Sequence, residues 1–77
     1  MTASEYLHTV HETRRKRLLE LIATFETMGD ASREIGLSLS YVSRLCGGRH
    51  PFTESVARQI EGNFGLEFGA LDLVREN

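Results

Sequence analysis

Nothing in this 77-residue chain constrains its fold as tightly as the stretch from Thr27 to Leu45, TMGDASREIGLSLSYVSRL. Two helix starts and one helix stop are written into it. Thr27, followed three residues later by Asp30, is a capping-box-like start. Ala31, Ser32 and Ile35 then fall on one helical face. Gly36 follows the last periodic residue, where a left-handed residue usually ends a helix. Leu37 is an apolar plug for the space between two helices. Ser38 is a good N-cap for the second, and Val42 and Leu45 give that helix an inward stripe. Its other face bears Ser40, Tyr41, Ser43 and Arg44: short hydroxyls, one ring and one guanidinium, with no carboxylate among them.

Around this stretch the remaining signals are helical. Leu18, Leu21, Ile22 and Phe25 repeat at three and four residues, so His11 to Phe25 is expected to be one amphipathic helix. It opens on the run Arg14-Arg15-Lys16-Arg17. Four consecutive helical residues point in four directions, so the run cannot contact one surface as a unit. Met1 to Val10 supports two readings. It is a frayed terminus, or an arm or short helix, begun at Ser4, that packs on a partner subunit through Tyr6, Leu7 and Val10. Beyond Arg44, Gly47 and Gly48 end the second short helix, and Arg49, His50 and Pro51 form a loop. Thr53 caps a further helix to about Asn63, with Phe52 and Ala57 placed as a hydrophobic staple. Val56, Ala57, Ile60 and Phe64 form its core stripe. Leu66, Phe68, Leu71 and Val74 suggest a last short helix over about 68–74. The expected architecture is an all-α compact bundle of about five helices, or six if residues 1–10 form one of their own. We divide it into a segment 1–10 and a domain 11–77, with the motif at 27–46.

Two helices joined by so tight a turn have the geometry of a helix-turn-helix. Here the chain resembles the DNA-binding domain of phage-repressor-like proteins of the Cro/C1 or XRE type. The resemblance is carried by Ser32, Ile35, Gly36, Leu37, Ser38, Val42, Ser43, Arg44 and Leu45, then by Gly48, Arg49, Pro51 and Phe52. It extends from about Arg14 to about Leu73. It implies a lambda-repressor-like fold in which the helix 39–46 lies in the major groove of DNA. Leu39, Ser40, Ser43 and Arg44 are then the candidates for base contacts. Arginine can bond both O6 and N7 of guanine, leucine can press on a thymine methyl, and serine is unselective. Phosphate contacts are expected from Arg14, Arg15, Arg33, Tyr41, Arg49 and His50. Met28 stands where the family often has a phosphate-holding glutamine, which leaves that contact to the backbone N–H groups of Met28 and Gly29. The resemblance further implies a bacterial or phage transcriptional regulator, a repressor acting as a homodimer on an inverted-repeat operator.

The net charge of −2 runs against nucleic acid as a partner, but its distribution matters more. Residues 1–50 hold seven of the nine Lys and Arg against six acids, while residues 51–77 hold two against five. The motif half is slightly positive and the tail acidic. This balance, the missing glutamine and the apolar Tyr6, Leu7 and Val10 keep a second reading open: a protein-interaction module on the same fold, binding another regulator, a toxin or a polymerase. An enzyme is not expected. His8, His11, His50 and Cys46 make no zinc pattern, GGRH is a helix-ending turn and not a nucleotide loop, and no group orients Cys46 and His50 for nucleophilic work. No cofactor, metal or small-molecule ligand is therefore expected. The lone Cys46 fits a reducing compartment. No run approaches the roughly 18 apolar residues of a membrane span, and no signal peptide is visible. A cytoplasmic location follows as an expectation.

Overall fold

Residues 2–73 are described by the computed structural model. They form four α-helices and one 3₁₀ turn, with no strand among the described residues. Helix α1 spans Ala3–Ile22, α2 Met28–Ile35, α3 Leu39–Cys46 and α4 Glu54–Phe64; the 3₁₀ turn covers Ala70–Asp72.

Side-chain caps start every helix. Thr27, Ser38 and Thr53 each accept an N–H from the residue three further on, namely Asp30, Tyr41 and Val56. The carboxylate of Asp30 turns to Arg33 instead of reaching back to Thr27, so the box expected there is half made. The unexpected cap is Thr2. Its Oγ1 accepts from the Glu5 N–H and donates to Glu5 Oε1, and α1 consequently starts at Ala3. The helix expected over 11–25 is thus longer at its front and ends earlier, at Ile22, with no break between Val10 and His11. Thr24 and Phe25 lie in turns, and the Phe25 ring packs against Phe64 at 6.0 Å between centroids.

The core is one cluster. Leu18 of α1, Ile35 of α2, Val42 and Leu45 of α3, and Ala57 and Ile60 of α4 are buried together with Phe52 and Leu71. Burying them is the chief favourable contribution to folding, about 1.5–3 kcal/mol per large side chain before entropy is subtracted. Ser32 is buried where α2 meets its neighbours, and its hydroxyl donates to the Met28 carbonyl at 2.8 Å. Gly36 turns the chain at φ +80°, and the freed Ile35 carbonyl takes a hydrogen bond from Asn63 Nδ2 on α4. The bend between α2 and α3 is therefore held from a third helix.

The end of the chain corrects the fifth helix. A helix over about 68–74 is replaced by the three-residue turn Ala70–Asp72. Leu71 is buried as expected, but Phe68 is 80% exposed; Val74 lies outside the described residues. Glycine at 69, in the left-handed region with φ +86°, interrupts the helical run. A carboxylate then replaces helical hydrogen bonding: Glu61 is 2% exposed and accepts the N–H groups of Gly69 and Leu71, both at 2.9 Å.

α1 projects from this core. Twenty helical residues span about 30 Å, and residues 2–9 are all exposed. The molecule measures 37 × 24 × 23 Å, and its radius of gyration of 12.1 Å exceeds the roughly 11.5 Å expected for a chain this long. No helix among the described residues is long and apolar enough to cross a membrane.

Candidate nucleic-acid interface

α3 sorts its side chains as its sequence dictates. Val42 and Leu45 point into the core, which turns Leu39, Ser40 and Arg44 outward; Leu39 is 52% exposed. Ser43 and Tyr41 are half-buried at the edges of this face. The Arg44 guanidinium lies 6.0 Å from the centroid of the Tyr41 ring, and Tyr41 meets the His50 ring at 4.7 Å. The His50 ring also has its Nδ1 3.0 Å from the Pro51 carbonyl. Tyr41 thus joins the outward face of α3 to the loop 47–53. No carboxylate belongs to α3 itself, so hydroxyls, one cation and a leucine side chain are the chemistry it offers.

Two of the expected phosphate contacts, Arg49 and Arg15, lie at the end of α3, and three more, Met28, Gly29 and Arg33, lie on α2. Arg49 is exposed, and its Nε lies against Gly47. Gly48 adopts φ +73°, and a Cβ there would collide with the Arg15 guanidinium. The loop thus brings Arg15 of α1 against the end of α3, although Arg15 is also paired with Glu12. Arg33 is exposed on α2 and paired with Asp30. At the start of α2, Met28 and Gly29 are half-buried, and their N–H groups precede the first capped donor, Asp30.

Arg14 is a correction. It is 6% exposed, and its guanidinium is fully engaged inside the protein. Nε donates to Asp72 Oδ1 at 2.6 Å, Nη2 to Asp72 Oδ2 at 3.2 Å and Nη1 to the Phe52 carbonyl at 2.7 Å. A planar guanidinium matches a carboxylate in this bidentate way, and each of its three nitrogens has a partner inside the protein. Arg14 therefore leaves the set of phosphate candidates. Its neighbour Arg17 is likewise turned to the chain end, donating to the Leu73 carbonyl and, at 2.9 Å, to Glu20.

The buried polar cluster around Arg14 escaped the sequence reading. Asp72 also meets Arg58 Nη2 at 3.0 Å, and Arg58 meets Glu61. Arg58 Nε sits 2.8 Å from Glu61 Oε1 without an aligned hydrogen bond, so that contact is ionic only. The hydrogen bond from Arg14, with a smaller one from Arg58, holds the Asp72 carboxyl below its ordinary range against the opposing effect of burial. One signal was available: Ala57, Ile60, Glu61 and Phe64 follow the 0, 3, 4, 7 spacing of a buried helix face, which places Glu61 inside.

Cys46 ends α3 half-buried, and burial pushes its thiol above the ordinary value, with the nearby Arg15 charge pulling the other way. A thiol kept protonated is a poor nucleophile. Among the described residues no three His, Cys, Asp or Glu side chains are grouped as metal ligands. Compared with known proteins, the chain matches no family model, no curated protein and no solved structure.

Proposed function

We propose that the protein is a sequence-specific DNA-binding transcriptional regulator of the repressor type, with α2, the turn Gly36–Ser38 and α3 working as a helix-turn-helix. The observation that carries this reading is the outward face of α3. Ser38 caps the helix, Val42 and Leu45 anchor it, and Leu39, Ser40 and Arg44 stand in solvent with no acid on the helix. An eight-residue helix of this kind fits the major groove, with Arg44 placed for a guanine edge, a pairing worth roughly 1–3 kcal/mol of discrimination. Arg49, Arg33 and Arg15 flank it as phosphate contacts, joined by Tyr41, His50 and the N-terminus of α2. Two copies related by a two-fold axis would present two α3 helices to half-sites roughly 34–36 Å apart.

Selection from a randomised duplex pool at two salt concentrations tests the proposal. A short inverted repeat is expected, and joint replacement of Arg44 and Arg49 by Glu should abolish its retention. Retention that is independent of sequence and vanishes at the higher salt would overturn it, because counterion release alone produces that pattern. A protein-interaction module remains the second reading, favoured by the exposure of Tyr6 and Leu7, at 60% and 54%. Such a module, working through α1, would tolerate the double arginine change and fail on Leu7→Asp.

A further inference from the structure

One side of α1 is built of titratable groups. His8, His11, Glu12 and Arg15 follow one another by three, one and three residues, the spacing of a single helical face. The loop after α3 meets that face. Gly48 has no side chain, so the Arg15 guanidinium lies close against it, and His50 follows two residues later. Together they enclose a recess of about 180 Å³, with Leu45 and Phe52 as its apolar lining. His8 is exposed, whereas His11 and His50 are half-buried. The His50 Nδ1 lies 3.0 Å from the Pro51 carbonyl, which only accepts. Nδ1 therefore bears a hydrogen, and protonation turns Nε2 from an acceptor into a donor. The three rings are not grouped as metal ligands. With a guanidinium beside them, they suit an oxyanion instead.

The fixed charges of this recess cancel, because Glu12 is ion-paired with Arg15. Histidine is the side chain whose charge changes between about pH 5 and 8, so proton uptake by the three rings sets the sign of the recess. We propose that it binds a phosphate group of the DNA backbone and takes up protons as it does so, with His8, His11 and His50 as donors beside Arg15. The recess adjoins the face assigned to DNA: the His50 ring meets Tyr41 of α3, and the Arg44 guanidinium stands near the same Tyr41 ring. The other charged neighbours are Glu5, one turn before His8 on α1, and Arg49 of the loop; the half-buried Cys46 of α3 has its thiol pushed above the ordinary value by burial. Residues 2–13 contain Glu5 and Glu12 and no lysine or arginine. That part of α1 can attract a polyanion only through His8 and His11. Bound phosphate and bound protons then favour each other reciprocally.

The inference rests on the DNA-binding reading and adds to it two contacts, His8 and His11, and a dependence on pH. Anisotropy of a dye-labelled, mixed-sequence duplex at about pH 6 and about pH 8, at constant ionic strength, tests it across the range in which histidine charges. The full chain should bind at least about tenfold more tightly at the lower pH, since a proton taken up on binding is worth up to about tenfold per pH unit. The double variant His8→Gln/His11→Gln should keep a gain of no more than about threefold. Should it lose the far-ultraviolet circular dichroism of the wild type, His8→Gln alone, at an exposed position, takes its place and should cut the gain by at least about twofold. No gain in the wild type, or an undiminished gain in the variant, overturns the recess and leaves the proposed function standing. A second arm uses inorganic phosphate without DNA at about pH 6, following the histidine Cε1–H resonances, assigned through the single His→Gln variants. Shifts at His8, His11 and His50 support the recess as a phosphate site. The same shifts with no duplex bound at either pH would overturn the DNA backbone as the source, together with the proposed function, and leave a site for free phosphate. No shift and no bound duplex would overturn both.

Discussion

Arg14 and Arg44 are the same residue type with opposite duties. Arg14 is enclosed by Asp72 and the Phe52 carbonyl, whereas Arg44 is exposed on α3. Removing Arg14 leaves a carboxylate and a carbonyl unpaired, and Arg58 compensates only part of the loss. Arg14→Ala should therefore cost roughly 2 kcal/mol of stability or more, read as a lowered denaturation midpoint. Arg44→Ala should shift the midpoint by less than about 0.5 kcal/mol, as exposed substitutions do. On the proposed function it should nonetheless weaken operator binding by about tenfold or more. Equal loss of stability in both variants would put Arg44 in the interior and contradict the exposed face of α3.

At the scale of elements, α2 and α3 are too short to persist alone, since isolated helices under about 12 residues are marginal in water. Their caps and their turn therefore matter to the whole domain. Ser38→Ala removes the acceptor for the Tyr41 N–H and should destabilise by about 1 kcal/mol. Gly36→Ala acts on the turn itself. At φ +80° a side chain is strained, and its Cβ would also press to 3.2 Å from Asn63 Nδ2. The expected cost is about 1–2 kcal/mol, visible in a urea titration. A neutral Gly36→Ala would mean that the turn can adopt another path, which would re-aim α3.

At the scale of the molecule, α1, α4 and the 3₁₀ turn are tied together by charge. Arg14 of α1, Arg58 and Glu61 of α4 and Asp72 of the terminal turn form one cluster beside the apolar core. The pKa of Asp72 is lowered in the folded protein, chiefly by the Arg14 hydrogen bond. A depressed carboxyl stabilises the fold at pH values above its unfolded pKa, near 4. That contribution is lost as pH falls below this value toward the folded pKa. The wild type should accordingly lose thermal stability on acidification below about pH 4. Asp72→Asn should be less stable at neutral pH and show a shallower decline over the same range. Parallel profiles for the two proteins would assign acid sensitivity elsewhere.

The sequence by itself determined the local grammar of the chain. Thr27, Ser38 and Thr53 were legible as caps, Gly36 as a left-handed stop, and Ile35, Val42, Leu45 and Ile60 as core, because a cap bonds three residues away and a helical face repeats within eight. The Thr2–Glu5 cap obeys the same rule, but Ser4 offers a competing cap two residues on, and the reading of a short helix begun there missed the start at Ala3. Tertiary structure decided what distant partners decide. Which arginine of the run 14–17 turns inward depends on Asp72, 58 residues along the chain. Whether the last segment coils as a helix depends on the Glu61 carboxylate capturing its N–H groups. The candidate face on α3 lies between these cases. Its residues and their outward direction could be read from spacing, whereas the placing of Arg15 and His50 beside it required the loop at Gly48 to fold back on α1. A window of sequence encodes bonds that close within one or two helical turns; pairing across the fold is settled only when the whole chain has packed.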